Sequence, residues 1–160
     1  MPERPLQAVL FDLDGTFADT APDLGAALNR LLQEAGRAPL PLETLRPFVS
    51  QGVRGMLRIG FGMLPDHPDY KSRYNRFLTH YQQSLCVHTT LFDGIAELVE
   101  ALEAEGVAWG IVTNKSQHFT LPLMESLGYA RRADCIVSGD SASRAKPYAH
   151  PLHLACALTG

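Results

Sequence analysis

Residues 8–20 read Ala-Val-Leu-Phe-Asp-Leu-Asp-Gly-Thr-Phe-Ala-Asp-Thr. Two carboxylates, Asp12 and Asp14, stand two positions apart where the apolar run ends. Side chains alternate along a strand, so residues i and i+2 begin on the same side. Gly15 then permits a turn that larger residues resist. Two like charges held this close are costly unless a cation or a proton lies between them. The pattern implies a divalent metal site for phosphoryl chemistry. Two further pieces fit it: Thr113-Asn114 closes a second apolar run, and Lys146-Pro147 follows a third. A phosphate dianion repels carboxylates, at about 4 kcal/mol per unit-charge pair for ~4 Å and an effective dielectric of ~20. Mg²⁺ suits the task, because it prefers oxygen ligands and retains waters. Lys146 would add a second, point-like positive charge. The Thr113 hydroxyl and nearby backbone N–H groups could hold phosphoryl oxygens.

Each piece alone has a plainer reading. Asp-Gly is a common turn pair, Thr113-Asn114 could be a turn, and exposed lysines are the norm. The chemistry rests on the combination. Asp140 reads either as an outer acid of the metal site or as a loop cap. His88 and His118 read as surface or structural residues.

These groups need a scaffold that gathers them. Ala8–Phe11, Val107–Thr113 and Cys135–Ser138 read as strands, with helical spacing before and between the last two. Strand–helix alternation predicts a parallel α/β sheet with right-handed crossovers. Ligands in such sheets sit beyond the carboxyl ends of the strands, where all three motifs fall. One helix is expected through Ile95, Leu98, Val99 and Leu102, stopping at Gly106. Another runs through Phe119, Leu123, Met124 and Leu127 to Gly128, strained or bent by Pro122. A last helix starts near Pro151. The gap between the first two strands is far longer than the ~30 residues of one crossover unit. Residues 18–90 are therefore expected to be a helical insertion, leaving 1–17 and 91–160 as the core. Leu24, Ala27, Leu28, Leu31, Leu32 and Ala35 form one apolar stripe, and Tyr70, Tyr74, Phe77, Leu78, Tyr81 and Leu85 form another. A short helix from Leu42 is interrupted near Pro47, and Gly52 and Gly55 mark a flexible turn or a close backbone approach.

The 160 residues are 46% hydrophobic with a net charge of −3, and the basic residues form no stripe, which argues against nucleic acid as a partner. No apolar run reaches the ~18 residues of a membrane span, and the N-terminus lacks a signal-peptide pattern. Cys86, Cys135 and Cys156 match no zinc spacing. They are expected to be buried free thiols in a reducing cytoplasm.

Asp12-Leu-Asp-Gly-Thr16, Thr113-Asn114 and Lys146-Pro147 resemble the first three motifs of the haloacid dehalogenase-like superfamily. The insertion is similar to that family's helical C1 cap on a Rossmann-like core. The resemblance implies that Asp12 is a nucleophile and forms an aspartyl-phosphate. It implies that Asp14 protonates the leaving alcohol and then deprotonates water. Mg²⁺ would contact the Asp12 side chain and the Asp14 backbone carbonyl. Thr113 and Asn114 would bind phosphate, and Lys146 would steady nucleophile and phosphoryl group. An acid at position 14 favours phosphorus over carbon as the target. The layout is similar to phosphoglycolate phosphatase-like enzymes. Phe61-Gly-Met63, Val87-His88, Leu91–Gly94 and Trp109–Lys115 resemble the N-acetylmuramic acid 6-phosphate phosphatase branch more closely. By that resemblance the substrate is a small phosphate ester, and Gln51, Gly52 and Arg54 face it.

The family's fourth motif places one or two acids roughly 20–25 residues after Lys146, one helix and one strand on. The sequence reaches Gly160 without them. The expectation is a C-terminally truncated core that turns over weakly or not at all, with Ala8–Phe11 left as an apolar edge. The alternatives are a non-catalytic binding domain of the same fold and a phosphomutase.

Overall fold

The computed structural model describes residues 6–160. Its sheet grows from β1 (Ala8–Phe11). The strand β4 (Ala108–Val112) lies parallel to it, with Ala8 opposite Ala108 and Phe11 opposite Ile111. β5 (Cys135–Val137) follows in parallel on the other side of β4, with Gly110 opposite Cys135. The order is β1-β4-β5, so β1 has one strand neighbour among the described residues. Helices α5 (Ile95–Ala104), α6 (Gln117–Leu127) and α7 (His150–Thr159) alternate with these strands. This is the α/β architecture with a parallel sheet that the strand spacing predicts.

The chain divides into two compact units, one running to Phe17 and resuming over Leu91–Gly160, the other spanning Ala18–Thr90. In the first, α7 packs on β4 and β5, and α5 packs on β4. Val112, Cys135, Val137 and Ala155 form a buried cluster with Leu10 and Leu154 against it. On an aromatic side of the core, Trp109 is fully buried and stacks on Phe17 at 5.6 Å between centroids, with Tyr129 edge-on to both. Burying each such ring contributes about 1.5–3 kcal/mol, and each ring pair about 0.5–1.5 kcal/mol more. These contacts hold β4 rigidly beside β1, and the candidate residues hang from the ends of both.

The Ala18–Thr90 unit is helical. It holds α1 (Ala21–Glu34), α2 (Leu42–Leu45), a 3-10 turn over Arg46–Gln51, α3 (Gly52–Phe61) and α4 (Tyr70–Gln83). Short strands β2 (Ala18–Asp19) and β3 (Thr90–Leu91) pair as a ribbon. Within this unit Asp23, in the first turn of α1, is almost fully buried. Its carboxylate accepts from the N–H groups of Val87, His88 and Thr89 and from the Thr89 hydroxyl, at 2.7–3.1 Å. At the other end of α1, Glu34 takes an ion pair from Arg76 and lies 3.0 Å from His80 Nε2.

Some local expectations hold and others need correction. Gly52 opens helix α3 at φ +60°, where the chain turns out of the 3-10 segment, and Gly55 lies inside the helix, where the expected close backbone approach is the reading that holds. A Cβ on Gly55 would stand 2.4 Å from the Phe48 carbonyl oxygen, so close packing explains this glycine. Pro122 lies inside α6, as expected, and its carbonyl accepts the Ser126 hydroxyl at 2.8 Å. Leu98 falls in α5, as expected, on its outer face, whereas Leu85 falls beyond the end of α4. The three cysteines are free, but only Cys135 is buried; Cys156 is exposed. Burial pushes the Cys135 thiol up from its ordinary range.

Candidate active site

Asp12 follows the last residue of β1, where the strand stops and the chain turns back on itself. The N–H groups of Thr16 and Phe17 return to the Leu13 carbonyl, and Phe17 N–H also reaches that of Asp12. Gly15 turns with φ +79°, a conformation that costs a residue with a Cβ roughly 1–2 kcal/mol. The turn leaves both carboxylates facing lysines. Asp12 Oδ1 accepts Lys146 Nζ at 2.9 Å and its neighbour Leu13 N–H at 2.8 Å. Asp14 Oδ1 accepts Lys115 Nζ at 2.9 Å. The two pairs differ in burial. The Lys146 and Asp12 side chains are 27% and 42% exposed, whereas Lys115 and Asp14 are 9% and 14% exposed. Asp12 is the carboxylate open to an incoming group.

Lys146 arrives from the far side of the sheet. Its ammonium also donates to the Val112 carbonyl at 2.8 Å, the last residue of β4. Its backbone is fixed by Asn114: the Asn114 Nδ2 donates to the Lys146 carbonyl at 3.0 Å, and Lys146 N–H donates to Asn114 Oδ1 at 2.8 Å. The Lys146-Pro147 peptide is cis. Asn114 therefore works here as a bracket for Lys146, a use of its side chain different from the phosphate contact that the resemblance implies. Thr113 is buried and its hydroxyl oxygen accepts Lys115 N–H at 3.1 Å. Accepting that bond leaves the hydroxyl its own proton to donate.

The β4 end is held against the β5 end by Thr113 N–H on the Val137 carbonyl at 2.9 Å and by a close approach at Gly139. Gly139 N–H donates to the Lys115 carbonyl at 2.8 Å. A Cβ at Gly139 would stand 2.2 Å from the Asn114 carbonyl oxygen, which no real contact allows. Asp140 Oδ1 accepts Gln117 N–H at 2.9 Å, the bond of a cap at the start of α6. His118 lies edge-on to Phe119, and His88 is exposed.

Asp12, Asp14, Thr113, Asn114 and Lys146 thus share the carboxyl ends of β1 and β4. Gly52, which opens α3, and Arg54, exposed in its first turn, belong to the Ala18–Thr90 unit. Lys115 and Gly139 were not picked out as site residues from the sequence. Lys115 stands next to Asn114, and its adjacency to a strand-end polar pair was the available signal. Among the described residues no cluster of three His, Cys, Asp or Glu side chains occurs. Two carboxylates remain as the hard-oxygen donor set, which matches the one or two that Mg²⁺ takes alongside waters and phosphate.

The family model for haloacid dehalogenase-like hydrolases matches residues 9–160. An N-acetylmuramic acid 6-phosphate phosphatase of Pseudomonas aeruginosa is 41% identical over 160 residues, covering 100% of this chain and 71% of the relative. A phosphoglycolate phosphatase of Xanthomonas campestris pv. campestris is 39% identical over 154 residues, covering 96% of this chain and 69% of the relative. The crystal structure of a predicted phosphoglycolate phosphatase from Haemophilus somnus superposes with a TM-score of 0.82 at 22% identity, over 97% of this chain and 72% of that one. That superposition shows a shared fold. With a family match over nearly every residue, and relatives this similar in sequence, the protein belongs to the haloacid dehalogenase-like hydrolases.

Proposed function

We propose that the protein is a Mg²⁺-dependent phosphatase that hydrolyses a small phosphate monoester through an aspartyl-phosphate on Asp12. The observation that carries this reading is the 2.9 Å pairing of Asp12 with Lys146, on the exposed end of β1. A nucleophilic carboxylate needs cations at hand to meet a phosphate dianion, because the like charges otherwise repel by several kcal/mol. Lys146 supplies one such charge, held by two backbone bonds to Asn114 rather than by its own loop.

Asp12 would attack phosphorus as the ester oxygen leaves, with Asp14 giving that oxygen its proton. Asp14 would then take a proton from water as the water oxygen attacks phosphorus, which releases inorganic phosphate and restores Asp12. Thr113 would donate its hydroxyl proton to a phosphoryl oxygen, and Lys146 would hold Asp12 and that oxygen together. Asp12 and Asp14 are the residues that would hold Mg²⁺. When bound, the ion would neutralise charge on the phosphoryl oxygens. The names of the relatives point to N-acetylmuramic acid 6-phosphate or 2-phosphoglycolate as the substrate.

Phosphate release from these two esters, with Mg²⁺ and with excess chelator, tests the proposal. The expected result is chelator-sensitive hydrolysis, however slow, that Asp12→Asn abolishes. Full activity of Asp12→Asn would overturn it, and an isomeric sugar phosphate as product would replace hydrolysis by transfer.

A further inference from the structure

Lys115 is built into the site more firmly than a surface lysine needs to be. Its N–H donates to Thr113 Oγ1 at 3.1 Å. Its carbonyl accepts Gly139 N–H at 2.8 Å and the Thr120 hydroxyl at 3.1 Å. Three bonds, with Thr113, Gly139 and Thr120, thus fix the backbone from which the side chain departs. That side chain is 9% exposed and ends 2.9 Å from Asp14 Oδ1, across 101 residues of sequence. Ordering a lysine side chain costs about 2 kcal/mol of rotamer entropy, and an ordinary exposed ion pair returns about 0–1 kcal/mol. A buried, charge-assisted bond to a carboxylate fixes geometry as well as energy. Thr113 and Lys146 serve Asp12 and the phosphoryl group, so the β4 end sends one lysine to the other carboxylate.

We propose that Lys115 is a positioning residue for Asp14. It holds the carboxyl group in the one orientation from which a proton passes to the leaving ester oxygen as the P–O bond breaks and the Asp12–P bond forms. This rests on the phosphatase reading above. The role has a signature that general damage lacks. An alkyl alcohol leaves poorly without a proton, so its departure depends on where Asp14 stands. A 4-nitrophenolate leaves without one.

The test compares Lys115→Met and Lys115→Arg in the full-length protein with Mg²⁺, using kcat/KM for 2-phosphoglycolate and for 4-nitrophenyl phosphate. A misplacement near 1 Å costs about 10²-fold, so Lys115→Met should lose about that much on the alkyl ester and less than about threefold on the aryl ester. Lys115→Arg should recover part of the alkyl loss, since the charge is kept while its geometry changes. The aryl ester serves as the internal check on folding. An equal fall on both esters, or no fall on either, overturns the role of Lys115. Asp12→Asn, measured in parallel, separates the two ideas: if it is inactive while Lys115→Met shows no ester selectivity, only the positioning role fails. If Asp12→Asn hydrolyses both esters normally, the phosphatase reading fails and takes this one with it.

Discussion

Replacing Asp23 by alanine should destabilise the Ala18–Thr90 unit by an amount that the geometry sets. The carboxylate gathers four donors. Val87 and His88 are exposed, so their N–H groups can turn to water when the acceptor is removed. The Thr89 N–H and hydroxyl cannot, because Thr89 is only 7% exposed. Two stranded buried donors cost about 1–3 kcal/mol each, which gives about 4 kcal/mol for Asp23→Ala. Asp23→Asn should cost less. Oδ2 receives donors from all three residues, and an amide oxygen can occupy its place. What is lost is mainly the charge, which roughly doubles the strength of such bonds, so about 1–2 kcal/mol is expected. The assay is urea unfolding followed by far-ultraviolet circular dichroism, comparing midpoints at constant slope. The reasoning is refuted if Asp23→Ala costs less than about 1 kcal/mol, or if Asp23→Asn is as damaging as alanine.

Two other perturbations address different parts of the molecule. Gly139→Ala places a methyl group 2.2 Å from the Asn114 oxygen, so one of the two strand ends must move. A cost of about 1–3 kcal/mol is expected, with a fall in kcat near 10²-fold as Lys146 loses its bracket; unchanged kcat in a stable variant would show that the approach is not needed. The Arg76 hydrogen bond, with help from His80, holds the Glu34 carboxyl at about 2, below its ordinary 4.5. A lowered pKa means that the carboxylate form is favoured by folding. Its stabilisation is therefore intact above pH 4.5 and lost as pH falls towards about 2. The melting-temperature gap between the unaltered protein and Glu34→Gln should close across that window, and a gap independent of pH contradicts the assignment.

What could be read in the sequence was what neighbours in the chain decide. Ala8–Phe11 is four apolar residues before a turn, and the strand occupies those residues in the structure. Helices ending at Gly106 and Gly128 were legible for the same local reason. Helix α3 was not. Its glycines lower intrinsic helix propensity, and packing against the segment at Phe48 overrides that preference. Asp23 was hidden too, because an acid in a first helical turn ordinarily serves the helix dipole, and its real partners lie at residues 87–89. Of the site, the strand-end residues could be picked out one by one. The bonds between them could not: Lys115 finds Asp14 across 101 positions, and Asn114 finds Lys146 across 32. Such pairings exist only after the sheet has formed.

The bracket between Asn114 and Lys146 has a consequence for how this loop can change. The ammonium is placed by the end of β4, through Asn114 and the Val112 carbonyl, and not by the residues that lead up to it. Ser143 and Arg144 lie outside that bracket and are exposed. Substitution at Ser143 should therefore change the loop's surface and leave the ammonium in place, whereas Arg144 also packs over the Tyr148 ring, 4.8 Å from its centroid.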